Sequence, residues 1–125
     1  MPIGLGWDDL GPELEGPGFK IRRMDADGLA VCLNRFEAGV STDSLYAGLP
    51  DDRCPFAHWG YIIAGRLRVD GPRCMIDYEA GQTFYWEPGH NLEAVIDVEY
   101  VEITWIEDYD ALTLRIHSDL VVVAC

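Results

Sequence analysis

The feature that most constrains this chain is a period-two alternation of apolar and polar residues, carried by short runs and broken by turn residues. Leu29, Val31 and Leu33 share one face behind an Asp27-Gly28 turn, and Leu67 and Val69 alternate with Arg66, Arg68 and Asp70. Val101, Ile103 and Trp105 alternate with Tyr100, Glu102 and Thr104, and Leu112, Leu114 and Ile116 alternate with Thr113, Arg115 and His117. Successive side chains on a strand point to opposite faces, so this period predicts strands. Strands recurring roughly every 8–12 residues between turns predict a sandwich or barrel. No helical stripe competes, although Asp43–Gly48 has room for one short turn. The predicted fold class is all-β.

At 125 residues the chain is one domain, long enough to bury roughly two thirds of its unfolded surface without disulfide staples. Residues 1–18 are rich in glycine and proline, with Trp7 and Leu10 as their large apolar anchors. They predict an irregular N-terminal arm ahead of a single domain over 19–125. Nine Lys and Arg against 22 Asp and Glu give a net charge of −13. Nucleic acid and anionic membrane are poor partners for such a chain, because binding phosphate needs clustered cations. Between Arg73 and Arg115 there is no Lys or Arg, while Asp77, Glu79, Glu87, Glu93, Asp97, Glu99, Glu102, Glu107, Asp108 and Asp110 all fall there. The stretch is either a solvated acidic face or one whose carboxylates line a site for a metal or a cationic group.

No run approaches the roughly 18 apolar residues of a membrane span. The N-terminus also lacks the basic and apolar regions of a signal peptide. Cys32, Cys54, Cys74 and Cys125 are far apart in sequence, with no CxxC pair. Reduced thiols in a cytoplasmic protein are the expectation.

Two segments carry chemistry. The first runs Asp51-Asp52-Arg53-Cys54-Pro55-Phe56-Ala57-His58-Trp59-Gly60-Tyr61-Ile62-Ile63-Ala64-Gly65. Extended, it places Asp52, Cys54, Phe56, His58, Gly60 and Ile62 on one side. On a straight strand Cys54 and His58 stand about 13–14 Å apart, too far to share one ion. Pro55 cannot donate to a ladder, so a bend or bulge there is the condition for their cooperation. In the second segment, Ala80 to Asn91, an aromatic strand Phe84-Tyr85-Trp86 runs into a Pro88-Gly89 turn and His90 follows directly.

The run His58-Trp59-Gly60-Tyr61-Ile62-Ile63-Ala64-Gly65, followed by the alternating strand Arg66 to Asp70, resembles the tail of the first motif of the cupin superfamily. Gly81, Pro88, Gly89 and His90 resemble the second motif, and the likeness covers about residues 44–106. The resemblance implies a cupin-type double-stranded β-helix, a jelly-roll barrel. Anchored on Gly65, it puts Asp52 and Cys54 where the paired histidines of the first motif stand, and His58 where its glutamate stands. The histidine position of the second motif holds Leu92, with His90 two residues early. The usual three-His, one-Glu centre is therefore absent, and Cys54, His58 and His90 take its place, with Asp52 as a candidate fourth donor.

One thiolate and two imidazoles suit zinc, with iron as the alternative divalent ion. Three protein ligands leave a position open, as catalytic sites do. Each residue also has an ordinary reading: Cys54 as a packed thiol, His58 as a hydrogen-bonded barrel histidine, His90 as a turn residue, and His117 as exposed and idle. Glu102, in phase with Tyr100 and Thr104, projects either into the barrel as a general base or acceptor, or into solvent. Trp59, Tyr61, Phe84, Tyr85, Trp86, Tyr100 and Trp105 divide between a pocket and an outer face. Two functions follow: a metal-dependent cupin acting on or binding a small organic metabolite, with His58 or Glu102 moving a proton, or a metal-free, non-catalytic binding or sensory cupin. The apolar run Leu120-Val121-Val122-Val123-Ala124, if an edge strand, requires cover from its own barrel or from the second subunit of a homodimer.

Overall fold

The computed structural model describes residues 2–124, with side chains described for 2–11 and 13–116. Among the described residues, nine strands form two antiparallel sheets: β1 (Pro12–Gly16), β2 (Phe19–Ala26), β3 (Leu29–Phe36), β4 (His58–Ala64), β5 (Arg66–Asp70), β6 (Met75–Glu79), β7 (Thr83–Trp86), β8 (Asn91–Ala94) and β9 (Val98–Trp105). A helix, α1 (Ile106–Ala124), follows β9. The large sheet has the order β1-β2-β3-β9-β4-β7 and the small one β6-β5-β8. Residues 39–42 extend the small sheet beside β8 through backbone bonds of Gly39, Val40 and Thr42 to Ala94 and Leu92.

The core lies between the sheets, as the alternation requires. Leu67, Val69, Leu92 and Ala94 face inward from the small sheet and Ile62, Phe84, Trp86, Val98 and Tyr100 from the large one. Phe84 and Trp86 are stacked with ring centroids 3.8 Å apart, and Tyr100 meets both rings edge-on. Gly60 makes this packing feasible: a Cβ there would fall 1.9 Å from the Val101 carbonyl and 2.4 Å from the Phe84 ring.

Three expectations change. The alternation over residues 112–116 forms a helix and not a strand. Tyr109, Leu112, Thr113 and Ile116 are buried, whereas Leu114 is exposed. Spacings of three and four residues put the buried set on one helical face. The run Leu120–Ala124 belongs to the end of α1, so it is no edge strand; its side chains, that of His117 and all of Cys125 lie outside the described residues. The arm is partly regular, because Pro12–Gly16 pairs with β2. Ahead of it, the Trp7 ring packs on the guanidinium groups of Arg22 and Arg35, 4.4 and 3.9 Å from its centroid.

The direction of the β9 alternation also matters. Tyr100, Glu102 and Thr104 point into the molecule, and Val101, Ile103 and Trp105 point out. The more polar row is inside.

Candidate metal centre

Cys54 enters the site from an irregular segment and not from a strand. Before it, Asp51 and Asp52 both adopt left-handed backbone, with φ of 57° and 54°, a conformation Asp tolerates better than most residues. Cys54 then forms an isolated bridge to His90: its N–H donates to the His90 carbonyl at 3.0 Å, and its carbonyl accepts from Gly89 N–H at 2.7 Å. Arg53 fastens the segment by donating to the carbonyls of Asp70 and Gly89, each at 3.0 Å, and pairing with the Asp70 carboxylate. The chain turns again before β4 begins at His58. The bend that Pro55 was expected to introduce is present, and it brings Cys54 Sγ to 3.1 Å from His58 Nε2.

His90 arrives from the Pro88-Gly89 turn, where Gly89 has φ of +94°. Its ring Nδ1 lies 2.8 Å from the Glu87 carbonyl. A carbonyl only accepts, so Nδ1 carries the proton and Nε2 holds a free lone pair. That Nε2 is buried and has no hydrogen-bond partner. One ligand atom from each of Cys54, His58 and His90 lies within 4.8 Å of the other two, and all three residues are buried.

Glu102 is inside. Its Oε1 lies 2.8 Å from His58 Nδ1, an ion-pair contact without an aligned hydrogen bond, and its Oε2 accepts from Asn34 Nδ2 at 2.9 Å. The electrostatics follow from burial opposed by neighbours. Burial disfavours charged His58, but the Glu102 carboxylate and Cys54 more than reverse this and raise its pKa to about 10. Burial pushes the Cys54 thiol up, while the neighbouring His58 and His90 rings bring it down to about 7. Burial likewise works against the Glu102 carboxylate, and His58 holds it below the usual range. The cluster is arranged to carry charge indoors.

The other acidic residues of the cation-free stretch stay at the surface. Asp77, Glu79, Glu99 and Asp110 pair with Arg68, Arg66, Arg35 and Arg23. Asp52 is exposed and accepts the Gly48 N–H at 2.9 Å, away from the cluster. The candidate fourth donor is therefore not part of the group. Asn34 and Arg53 are contributors that motif reading missed. Asn34 is the more detectable of the two, as a lone amide in phase with Ala30, Cys32 and Phe36 on β3.

The inward aromatic residues fill the barrel more than they line a pocket. A cavity of about 80 Å³ adjoins His90, bordered by Trp86, Glu87, Tyr85 and Arg73. It is well below the roughly 300–1,000 Å³ of drug-sized ligand sites. A larger cavity of about 450 Å³ lies elsewhere, beside Trp7, Lys20 and Arg35.

No protein-family model matches the sequence, and no curated protein does either. Solved structures do match in shape. The oxalate decarboxylase of Bacillus subtilis superposes with a TM-score of 0.61 at 20% identity, over 79% of this chain and 28% of that one. This chain thus spans well under two thirds of the length of that relative. An RmlC-like cupin from Shewanella frigidimarina gives 0.60 at 14% identity, over 79% of this chain and 86% of that one. A conserved protein of unknown function from Streptococcus pyogenes gives 0.56 at 17% identity, over 73% and 76%. With two antiparallel sheets closed around the Cys54, His58 and His90 cluster, the chain has the fold of the cupin superfamily.

Proposed function

We propose that this protein is a metal-binding cupin whose site is Cys54, His58 and His90, and that it acts on or binds a small organic metabolite. The observation that carries the reading is the buried, partnerless Nε2 of His90, held in the correct tautomer beside a thiol and a second imidazole. A lone pair left unsatisfied indoors is costly, and an ion removes that cost. The donor set suits zinc, with iron as the alternative. A bound ion would polarise a ligand oxygen or lower the pKa of a water.

The chain's own residues divide the remaining work. Glu102 has both oxygens engaged, so it acts through His58: it keeps a proton on Nδ1 and turns Nε2 toward Cys54. Such carboxylate–histidine pairs commonly stand behind metal sites. His90 is oriented by the Glu87 carbonyl. Trp86 closes one side of both imidazoles, with ring centroids 6.3 and 5.4 Å away, and limits water. The small cavity at His90 favours a ligand of few atoms.

Metal analysis of protein purified without added metal tests this reading. The expected result is about one equivalent of zinc or iron per chain, lost in Cys54→Ala and His90→Ala. Protein that neither carries nor takes up zinc, yet binds a small ligand, would overturn it in favour of a metal-free binding module.

A further inference from the structure

A cavity of about 450 Å³ lies at one end of the large sheet, where the β1–β2 hairpin, the end of β3 and the start of β9 meet. Its volume is that of a small-ligand site, and it shares no lining residue with the metal centre. Phe19 and Phe36, with ring centroids 5.6 Å apart, give it an apolar wall. Trp7 borders it from the arm. The position of that ring is fixed: Arg22 Nη1 donates to the Trp7 carbonyl at 2.7 Å, and the Arg35 guanidinium packs on the ring at 3.9 Å. A tryptophan held half-buried beside a cavity, on an arm of glycine and proline, leaves apolar area for something other than the core.

Charge distinguishes this cavity from an ordinary cleft. Strand register places Glu15, Lys20, Arg35 and Glu99 in one row across β1, β2, β3 and β9. The chain's single lysine therefore stands directly opposite an arginine, a like-charge pairing that destabilises a sheet. Arg35 commits Nε to Glu99 at 2.9 Å, and Asp97 accepts the Ala38 N–H at 2.9 Å. Lys20 and Glu37 are the remaining charges of the lining, opposite in sign, and neither forms an ion pair among the described residues. The Glu37 backbone is fixed by donation of its N–H to the Gly18 carbonyl at 2.8 Å. The cavity thus presents one open cation, one open anion and an aromatic wall.

We propose that this cavity binds the zwitterion of a free α-amino acid with an apolar side chain. Its carboxylate bridges Lys20 and Arg35, which relieves the repulsion across β2 and β3. Its ammonium pairs with Glu37, and its side chain lies against Trp7 and Phe19. A simple anion fits less well, because Glu37, Asp97 and Glu99 outnumber Lys20 and Arg35 in the lining. A simple cation meets the Lys20–Arg35 pair. A ligand carrying both signs satisfies both groups and adds no net charge to a chain at −13.

Isothermal titration calorimetry of the full chain with L-phenylalanine and L-leucine tests the proposal. Saturable binding is expected, weakened about tenfold or more in Lys20→Met and in Glu37→Gln, because each variant loses a charged hydrogen-bond partner. Both residues are exposed, so the variants should melt with the wild type. 3-Phenylpropanoate, which lacks the ammonium, and 2-phenylethylamine, which lacks the carboxylate, should bind about tenfold or more weakly than L-phenylalanine. Tryptophan emission should change on binding in the wild type and not in Trp7→Phe. No saturable binding of either amino acid, affinity unchanged in either charge variant, or a one-charge analogue binding as tightly as the zwitterion would each overturn it.

Discussion

A single carboxylate determines how the candidate centre is held. Glu102 is the one buried acid of the cation-free stretch from residue 74 to 114, and its two oxygens serve His58 and Asn34. Glu102→Gln keeps the shape but removes the charge that keeps the His58 ring protonated at Nδ1. Zinc affinity, read by competition with a chromophoric chelator, should fall roughly 10–100-fold, the usual cost of losing such a supporting partner. Unchanged affinity would detach Glu102 from the site. The ligand candidates Cys54, His58 and His90 could be read from sequence because thiol and imidazole are rare and chemically distinctive. Asn34 and Arg53 could not, since their roles depend on strand register and on a loop fastening that residue type does not encode.

At the scale of elements, the strands were legible and the last element was not, for a physical reason. Leu112, Leu114 and Ile116 satisfy a period of two, but Tyr109, Leu112, Thr113 and Ile116 satisfy a period near 3.6 equally well. Short apolar runs fit both. The structure resolves the ambiguity by burial: Leu112 is inside while Leu114 is 71% exposed. Leu112→Ala should therefore cost about 2–5 kcal/mol, or about 4 °C per kcal/mol in a chain this long. Leu114→Ala should stay within about 0.5 kcal/mol. On a strand the two would share a face and behave alike, so thermal melts of the pair separate helix from strand. The same reasoning explains β9, where hydrophobicity alone would send Val101, Ile103 and Trp105 inward. Their position outside reflects a sheet with two faces of different character: one encloses a polar cluster, and the other carries a row of apolar side chains, Val31, Ile103, Trp59 and Tyr85.

For the whole molecule, the net charge and the buried cluster are linked through protons. His58, raised to about 10 from an ordinary 6.5, stabilises the metal-free fold fully below pH 6.5 and loses that contribution as pH rises toward about 10. Glu102, lowered from 4.5, contributes above that value and loses its contribution as pH falls through its lower folded value. Cys54, lowered to about 7 from 9.0, contributes above pH 9.0 and loses its share as pH falls through about 7, so it offsets part of the alkaline loss from His58. The metal-free protein should thus melt highest between these limits and lose stability more steeply on the acid side. A divalent ion changes the profile, because it binds the thiolate and the unprotonated imidazole nitrogen and so releases protons. The difference in Tm between zinc-loaded and chelator-treated protein should be small near pH 5, grow as pH rises through about 7, where the Cys54 proton leaves, and keep growing toward about 10, where the second His58 proton leaves. Taking the difference at each pH cancels the surface carboxylates, which titrate alike in both samples. In Cys54→Ala, which loses the ion, the difference should vanish at every pH, and a zinc-dependent difference that persisted would place the ion somewhere other than the thiol.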